Sequence, residues 1–179
     1  NVRGFRITGD LTPKLSFETR FYENQFFYPD YLSQKALDRA ENEITIDAIA
    51  FGIGRAKKFK EDGIDAGLAN GYVSFSPAKG IIFQFGHGRH FFGDGYRSLL
   101  LSDYAPDYQY LSGQYHFFDG KLLYKHVHSR LYNLSRIPVA TTPESMLIPK
   151  SFGFNQLSFQ ATSALSFSLF EGTVFKAYN

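Results

Sequence analysis

A two-residue alternation of apolar and polar side chains, repeated on both sides of short turns, constrains this chain more than any other feature. Phe5, Ile7 and Leu11 alternate with Arg6, Thr8 and Asp10. After Thr12-Pro13-Lys14, Leu15, Phe17, Thr19 and Phe21 alternate with Ser16, Glu18 and Arg20. A period of two sends successive side chains to opposite faces of a strand, so this stretch predicts an antiparallel hairpin with one apolar and one polar face. Three more pairs repeat the pattern. Residues 68–76 turn at Pro77-Ala78-Lys79-Gly80 into a strand from Ile81, and 108–118 turn at Asp119-Gly120 into 121–132. Residues 152–162 turn at Thr162-Ser163-Ala164 into a strand that opens with Leu165, Phe167 and Leu169. Asp-Gly is a strong hairpin signal, because both residues tolerate positive φ.

About eight strands result, and their connections alternate in length. Short turns fall at 12–14, 77–80, 119–120 and 162–164, long segments at 24–66, 87–107 and 133–151. Short turns on one side, long loops on the other and strands of about 9–11 residues fit an antiparallel transmembrane β-barrel. The expected fold class is therefore all-β: a partial barrel of about eight strands from a longer chain, forming one unit over residues 1–179. The apolar set would face lipid, and Glu18, Arg20, Asn70, Gln84, Gln114, Gln156, Ser166 and Ser168 the lumen. A soluble two-sheet protein, whose apolar face meets another sheet, fits the same alternation.

Two stretches resist the pattern. In 121–132, Leu123, Val127 and Leu131 share a face with Lys125, while Tyr124 shares the other with His126, His128 and Arg130. A bulge or a short lipid-facing portion would each account for that. The long surface loop expected at 24–66 contains Gln34-Lys35-Ala36-Leu37-Asp38-Arg39-Ala40-Glu41, good helix formers that predict a short helix. Its Gly52–Lys60 portion reads as a basic loop run, a solvated surface or a contact for an anionic partner or glycan.

Composition narrows the classes. The chain has 20 Phe and 12 Tyr but no Trp, an aromatic content that suits strands. Cysteine is absent, which removes disulfides and thiolate metal sites, and the net charge of +2 gives no concentrated basic face for a nucleic-acid partner. No apolar run approaches the roughly 18–20 residues of a spanning helix, a test that barrel strands do not meet either. Asn1 opens directly into a strand pattern without Met or signal peptide, and Phe175–Asn179 stop where a loop would begin. Both ends suit an interior fragment of a longer chain, or a processed one.

Chemistry concentrates in Gly86-His87-Gly88-Arg89-His90-Phe91-Phe92-Gly93-Asp94-Gly95-Tyr96-Arg97-Ser98. The glycines supply backbone freedom or close approach, and His87, Arg89, His90, Asp94 and Arg97 supply polar contacts. The spacing matches neither the dinucleotide fingerprint nor the phosphate loop. It suits a strand end folding inward, with Arg89, Asp94 and Arg97 tied in buried ion pairs. It also suits a ligand-contacting loop or lumen constriction, for which His87, Arg89, Asp94 and Arg97 are the candidates. His126 and His128, two apart, share a strand face and could both reach a metal, but no third ligand stands at motif spacing, so no metal is expected. Ser76-Pro77-Ala78-Lys79 matches Ser-x-x-Lys, yet lies in a Pro-containing turn where the catalytic version starts a helix. No cofactor and no enzymatic activity are expected.

Phe85-Gly86-His87-Gly88-Arg89, together with Gly93 to Asp103, resembles a signature of outer-membrane barrel proteins of gliding and related bacteria, the gliding-motility and capsule-assembly-like barrels. Arg3-Gly4-Phe5, Glu23-Asn24-Gln25 with Tyr28-Pro29-Asp30-Tyr31, Gly71 to Pro77 and Leu169-Phe170-Glu171-Gly172 are similar to the same family. The resemblance touches most of the chain and is specific at 85–103. It implies a longer barrel in the bacterial outer membrane and a non-enzymatic role at the cell surface: motility, polysaccharide attachment, or an accessory of secretion. The implied partners are outer-membrane lipid, and surface glycan or other outer-membrane or secretion proteins. A porin-like diffusion channel and a soluble β-rich binding module are the competing readings.

Overall fold

The computed structural model describes residues 1–41, 48–93, 95–98, 100–136 and 147–176. Eight strands run side by side in one open antiparallel sheet. In chain order the elements are β1 (Val2–Thr12), β2 (Leu15–Phe27), α1 (Asp30–Glu41), β3 (Ala48–Ala50), β4 (Gly54–Phe59), β5 (Gly63–Phe75), β6 (Ile81–Gly88), β7 (Tyr108–Phe117), β8 (Leu122–Arg136), β9 (Leu147–Gln160) and β10 (Ser166–Lys176). The spatial order is β1-β2-β5-β6-β7-β8-β9-β10. The small strand β4 pairs with β3 and takes up the edge of β5 that β6 leaves free, matching Lys57–Phe59 to Gly63–Asp65.

All four hairpins expected from the alternation form, and several strands run past their expected ends. β5 starts at Gly63, where the pattern was legible from 68, because its first residues are held by β2 on one side and β4 on the other. The segment 24–66 is correspondingly strand at both ends, with α1 in the region of the expected helix. Part of the basic run, Gly54–Phe59, is strand and not loop. The third long connection narrows to 137–146, which lie outside the described residues. The Asp119-Gly120 turn is left-handed at three successive residues, Phe118, Asp119 and Gly120, with φ of 53°, 52° and 88°. Asp and Gly accept that region, Phe less readily, and the bonds from Gly120 N to Phe117 O and Lys121 N to Phe118 O close the turn.

Residues paired across a ladder share a face, so the register fixes which side chains lie together. One row reads Glu18, Tyr72, Gly86, Tyr110, Ser129, Phe152. This face carries the buried residues, and many of them are polar: Glu18, Ser112, Ser129 and Gln156 beside Tyr110, Val127 and Phe154. The other face carries Phe5, Phe85, Leu111, Phe167 and Leu169, all exposed, Phe85 by 67% and Leu169 by 74%. The eight residues expected to share the lumen side all lie on the polar face.

The apolar band on the second face does not follow the hydrogen-bond rows. The row that starts at Phe17 passes Val73, Phe85 and Leu111, then turns polar at His128 and ends at Thr173. On β9 and β10 the apolar residues are Leu157 and Phe159 against Leu169 and Phe167, closer to the short turns. The band is thus oblique, drifting by roughly one residue per strand step. This explains β8 without a bulge in 122–132. Only Leu122 and Tyr124 of its outer face lie in the band, while His126, His128 and Arg130 lie beyond it. Leu123, Val127 and Leu131 belong to the polar face, where Val127 packs with Tyr108, Tyr110 and Phe154.

Replacing Gly120 with Val keeps the open space around that residue but forces a branched side chain to φ of 88°. Denaturant unfolding is expected to show a loss of about 1–2 kcal/mol, whereas Ser163→Val in the Thr162–Leu165 turn is expected to be near neutral.

Candidate functional site

Beyond Gly88 the chain leaves β6 and crosses the polar face before entering β7 at Tyr108. Arg89, the first residue of the crossing, fixes its start. Its Nε donates to Asp107 Oδ1 at 2.7 Å, and its Nη1 donates to the carbonyls of Gly52 at 2.7 Å and Asp103 at 2.9 Å. Asp107, whose side chain is 4% exposed, also accepts from Asn70 Nδ2 at 3.3 Å. One guanidinium therefore joins both ends of the 89–107 crossing to the 28–62 connection. The Gly52 backbone (φ 76°) lies so close to the Tyr104 ring that a Cβ there would approach it to 2.9 Å. Arg97 sits over Tyr104 with its Cζ 4.7 Å from the ring centroid.

Next, His90 inserts among aromatic rings. Its ring lies 4.3 Å from Tyr110 edge-on and stacks on Tyr108 and Phe92 at 5.8 and 5.4 Å. The backbone N–H of His90 donates to the Tyr108 hydroxyl, which also shares a hydrogen bond with His90 Nδ1 at 3.1 Å. Burial pushes the imidazole down to about 4, so it is neutral at physiological pH. Phe92 stacks on Phe154 at 5.0 Å with the rings 10° from parallel, and Lys125 Nζ lies 5.1 Å from its centroid. Two backbone bonds between Phe92 and Leu101 close a small loop, and Ser98 Oγ donates to the Phe92 carbonyl.

This crossing divides the polar face. Towards β2 and β5 lies a cavity of about 510 Å³ lined by Glu18, Arg20, Tyr22, Asn70, Tyr72 and Tyr110 among others. There Glu18, 6% exposed, is clasped by Arg6 at 2.7 Å and by Arg20. Towards β8, β9 and β10 lies a second cavity of about 670 Å³.

Of the four sequence candidates, three are described, and they stand in different surroundings, although His87 and Arg89 both border the cavity beside β2 and β5. Arg89 is at the junction described. His87 lies on the opposite face, in the row with Thr19 and Gln109, its Nδ1 2.9 Å from the Ala69 carbonyl. Arg97 is exposed and rests on Tyr96 and Tyr104. Asp94 lies outside the described residues. Among the described residues the carboxylate on Arg89 is Asp107, which only its position just before a strand marks in the sequence. Gln156 was legible as a lumen-side residue, whereas the sequence assigned no such face to Lys125 or Phe92, which border the same cavity. His126 and His128 lie on the face opposite the polar one, and His126 Nδ1 is hydrogen-bonded to Asn155 Oδ1 at 2.8 Å. Among the described residues no group of three or more His, Asp or Glu is placed to hold a metal ion. Ser76 donates its backbone N–H to Lys14 O in a turn, away from this site.

Removing one partner of a buried ion pair costs about 3–5 kcal/mol. Arg89→Ala leaves Asp107 almost fully buried, whereas Asp107→Ala leaves a guanidinium that is 20% exposed. Arg89→Ala is therefore expected to lower the melting temperature more, and the double variant to be less than additive. For His90, the unfolded chain takes up the proton near 6.5 and the folded chain only near 4. Stability should then fall as pH drops from about 6.5 to about 4 and level off below, measured as melting temperature against pH. His90→Phe should flatten that slope. No protein family, curated protein or solved structure matches the chain.

Proposed function

We propose that this chain forms part of the wall of a transmembrane β-barrel in a bacterial outer membrane and that it acts, without catalysis, at the cell surface. The observation that carries the reading is the inversion of the two faces. Charged and amide side chains such as Glu18 and Gln156 are buried on one face, while Phe5, Phe85, Phe167 and Leu169 stand exposed on the other. Water would not leave so large an apolar surface uncovered on a monomer, whereas lipid would cover it. The oblique band supports the same reading. One residue per strand, at about 3.3 Å per residue and about 4.8 Å between strands, is a tilt of about 35°, at the lower end of the roughly 35–45° of outer-membrane barrels. Open edges do not survive in hydrocarbon, so on this reading β1 and β10 each pair with another strand.

The 89–107 crossing favours a surface role over free diffusion. Arg89 ties its two ends together and Phe92, near its start, stacks on Phe154, so its described residues are held across the polar face. The surface of contact is then the end that carries α1, β3 and β4, where Ala36, Ala48, Ala50, Ile64 and Ala66 form a close-set core. The partner there is a surface glycan or another outer-membrane or secretion protein. A diffusion channel is the second reading, favoured by the two cavities that flank the crossing.

Detergent phase separation of the full-length protein tests the membrane reading: recovery in the detergent phase is expected, and recovery in the aqueous phase overturns it. In planar bilayers the surface reading expects no steady conductance, and a stable open level would favour the channel. Leu157→Lys, in the band, is expected to cost about 2–4 kcal/mol of folding into lipid vesicles, and Ser166→Lys on the polar face much less.

A further inference from the structure

On β8, β9 and β10 the outward face carries a polar patch just beyond the apolar band. His126, His128 and Arg130 stand there on β8, Gly153 and Asn155 beside them on β9, and Glu171 on β10. The row that holds His128 also holds Phe85 and Leu111, which are 67% and 54% exposed. Glu171 is two residues from Leu169 on the same face, is exposed, and forms no ion pair with any described residue. A charge is costly on a lipid-facing wall, so the patch calls for a polar cover.

The pattern of charge favours one cover over another. A phosphate headgroup suits cations alone, whereas here basic side chains on β8 and a carboxylate on β10 flank a neutral centre on β9. That centre is low, since a Cβ at Gly153 would have no atom within 4 Å. The His128 and Phe175 rings approach each other across β9, with 6.3 Å between centroids. Asn155 accepts through Oδ1 from Tyr124 and His126, and its own amide N–H groups bond to no described residue. Levels follow from the oblique band. A drift of roughly one residue per strand step towards the short turns puts Glu171, two strands from β8, at the height of His128. A two-fold axis parallel to the barrel axis and passing over β9 then sets β8 of one copy against β10 of another. His128 and Glu171 meet twice across such an axis.

We propose that the outward face of β8, β9 and β10 is an interface with a second copy of this chain, in which His128 of each copy donates to Glu171 of the other. The charges are self-complementary under the two-fold, and the hollow at Gly153 lets the two walls come close. The inference rests on the barrel reading and adds to it the partner of the outward face.

The test folds full-length protein carrying Gly153→Cys into vesicles of phosphatidylethanolamine and phosphatidylglycerol and treats it with a short bis-maleimide crosslinker. The chain holds no cysteine of its own. A crosslinked dimer is expected, and none from Phe85→Cys, which is on the same face but away from β9. In the Gly153→Cys background, His128→Glu sets two carboxylates together and Glu171→Lys sets an ammonium against His128. Each should cut the crosslinked fraction about tenfold. The milder Glu171→Gln should act in the same direction with an unchanged melting temperature. Folding the His128→Glu and Glu171→Lys proteins together should restore the dimer. The new carboxylate of one then meets the new ammonium of the other, while the second contact keeps His128 and Glu171. No dimer from Gly153→Cys overturns the proposal, as does a mixture that crosslinks no better than either variant alone. Monomeric protein that carries phosphorylated lipid through gel filtration, and loses it in Arg130→Ala, overturns it in favour of a headgroup as the cover. Phase separation of the same sample keeps the two readings apart. Monomer in the detergent phase loses the interface and keeps the barrel, while protein in the aqueous phase loses the barrel reading and this proposal with it.

Discussion

The continuous backbone ladder from β1 to β10 is the constraint on which the rest of the structure depends. Each strand is antiparallel to its neighbours, and the register is unbroken along most of every pair. With the ladder set, a side chain has only two places to go. A slip of one residue would carry Glu18 and Gln156 to the apolar face and Phe17 and Leu157 to the polar one. The strong alternation therefore stabilises one register and penalises its neighbours.

Placing polar groups on the covered face creates a second requirement, since each must find a partner. Glu18 meets it with two arginines, and Asp107 with Arg89 and Asn70. Arg89 suits its position because a planar guanidinium can donate in several directions at once, here to a carboxylate and to two carbonyls from different connections. A lysine has the charge but not that fork. His90 follows the other route, losing its charge in favour of aromatic contacts and a hydroxyl. Among the described residues, Gln156 Oε1 meets the requirement in neither way.

The hairpins were legible because period-two alternation and turn chemistry are local. Phe17 against Glu18, or Asp119-Gly120 between two alternating runs, needs no knowledge of distant residues. The residues of β8 depart from the simple alternation for a non-local reason. His126 and His128 stand on the same outer face as Tyr124, but the oblique band has already passed below them. Val127 shares a face with Lys125 in the sequence, and only Phe154 and Tyr110 packed beside it show that this is the polar face. The basic run at 54–59 carried no alternation strong enough to mark a strand, and becomes one by pairing with the end of β5.

The sequence by itself determined eight of the ten strands, the short turns between them and the two-faced character of their four hairpins, since these follow from neighbours one to four residues apart, and it missed β3 and β4. For 86–98 it offered either an inward-folding strand end with Arg89, Asp94 and Arg97 in buried ion pairs or a ligand-contacting loop; Arg89 is in an ion pair, whereas Arg97 is exposed. Only the tertiary structure decided that Asp107 is the partner, that His87 points away, and that Phe92, Lys125 and Gln156 border one cavity. Those pairings span from 18 to 64 positions in the chain. They are set by which strand lies beside which, and no local pattern encodes that order.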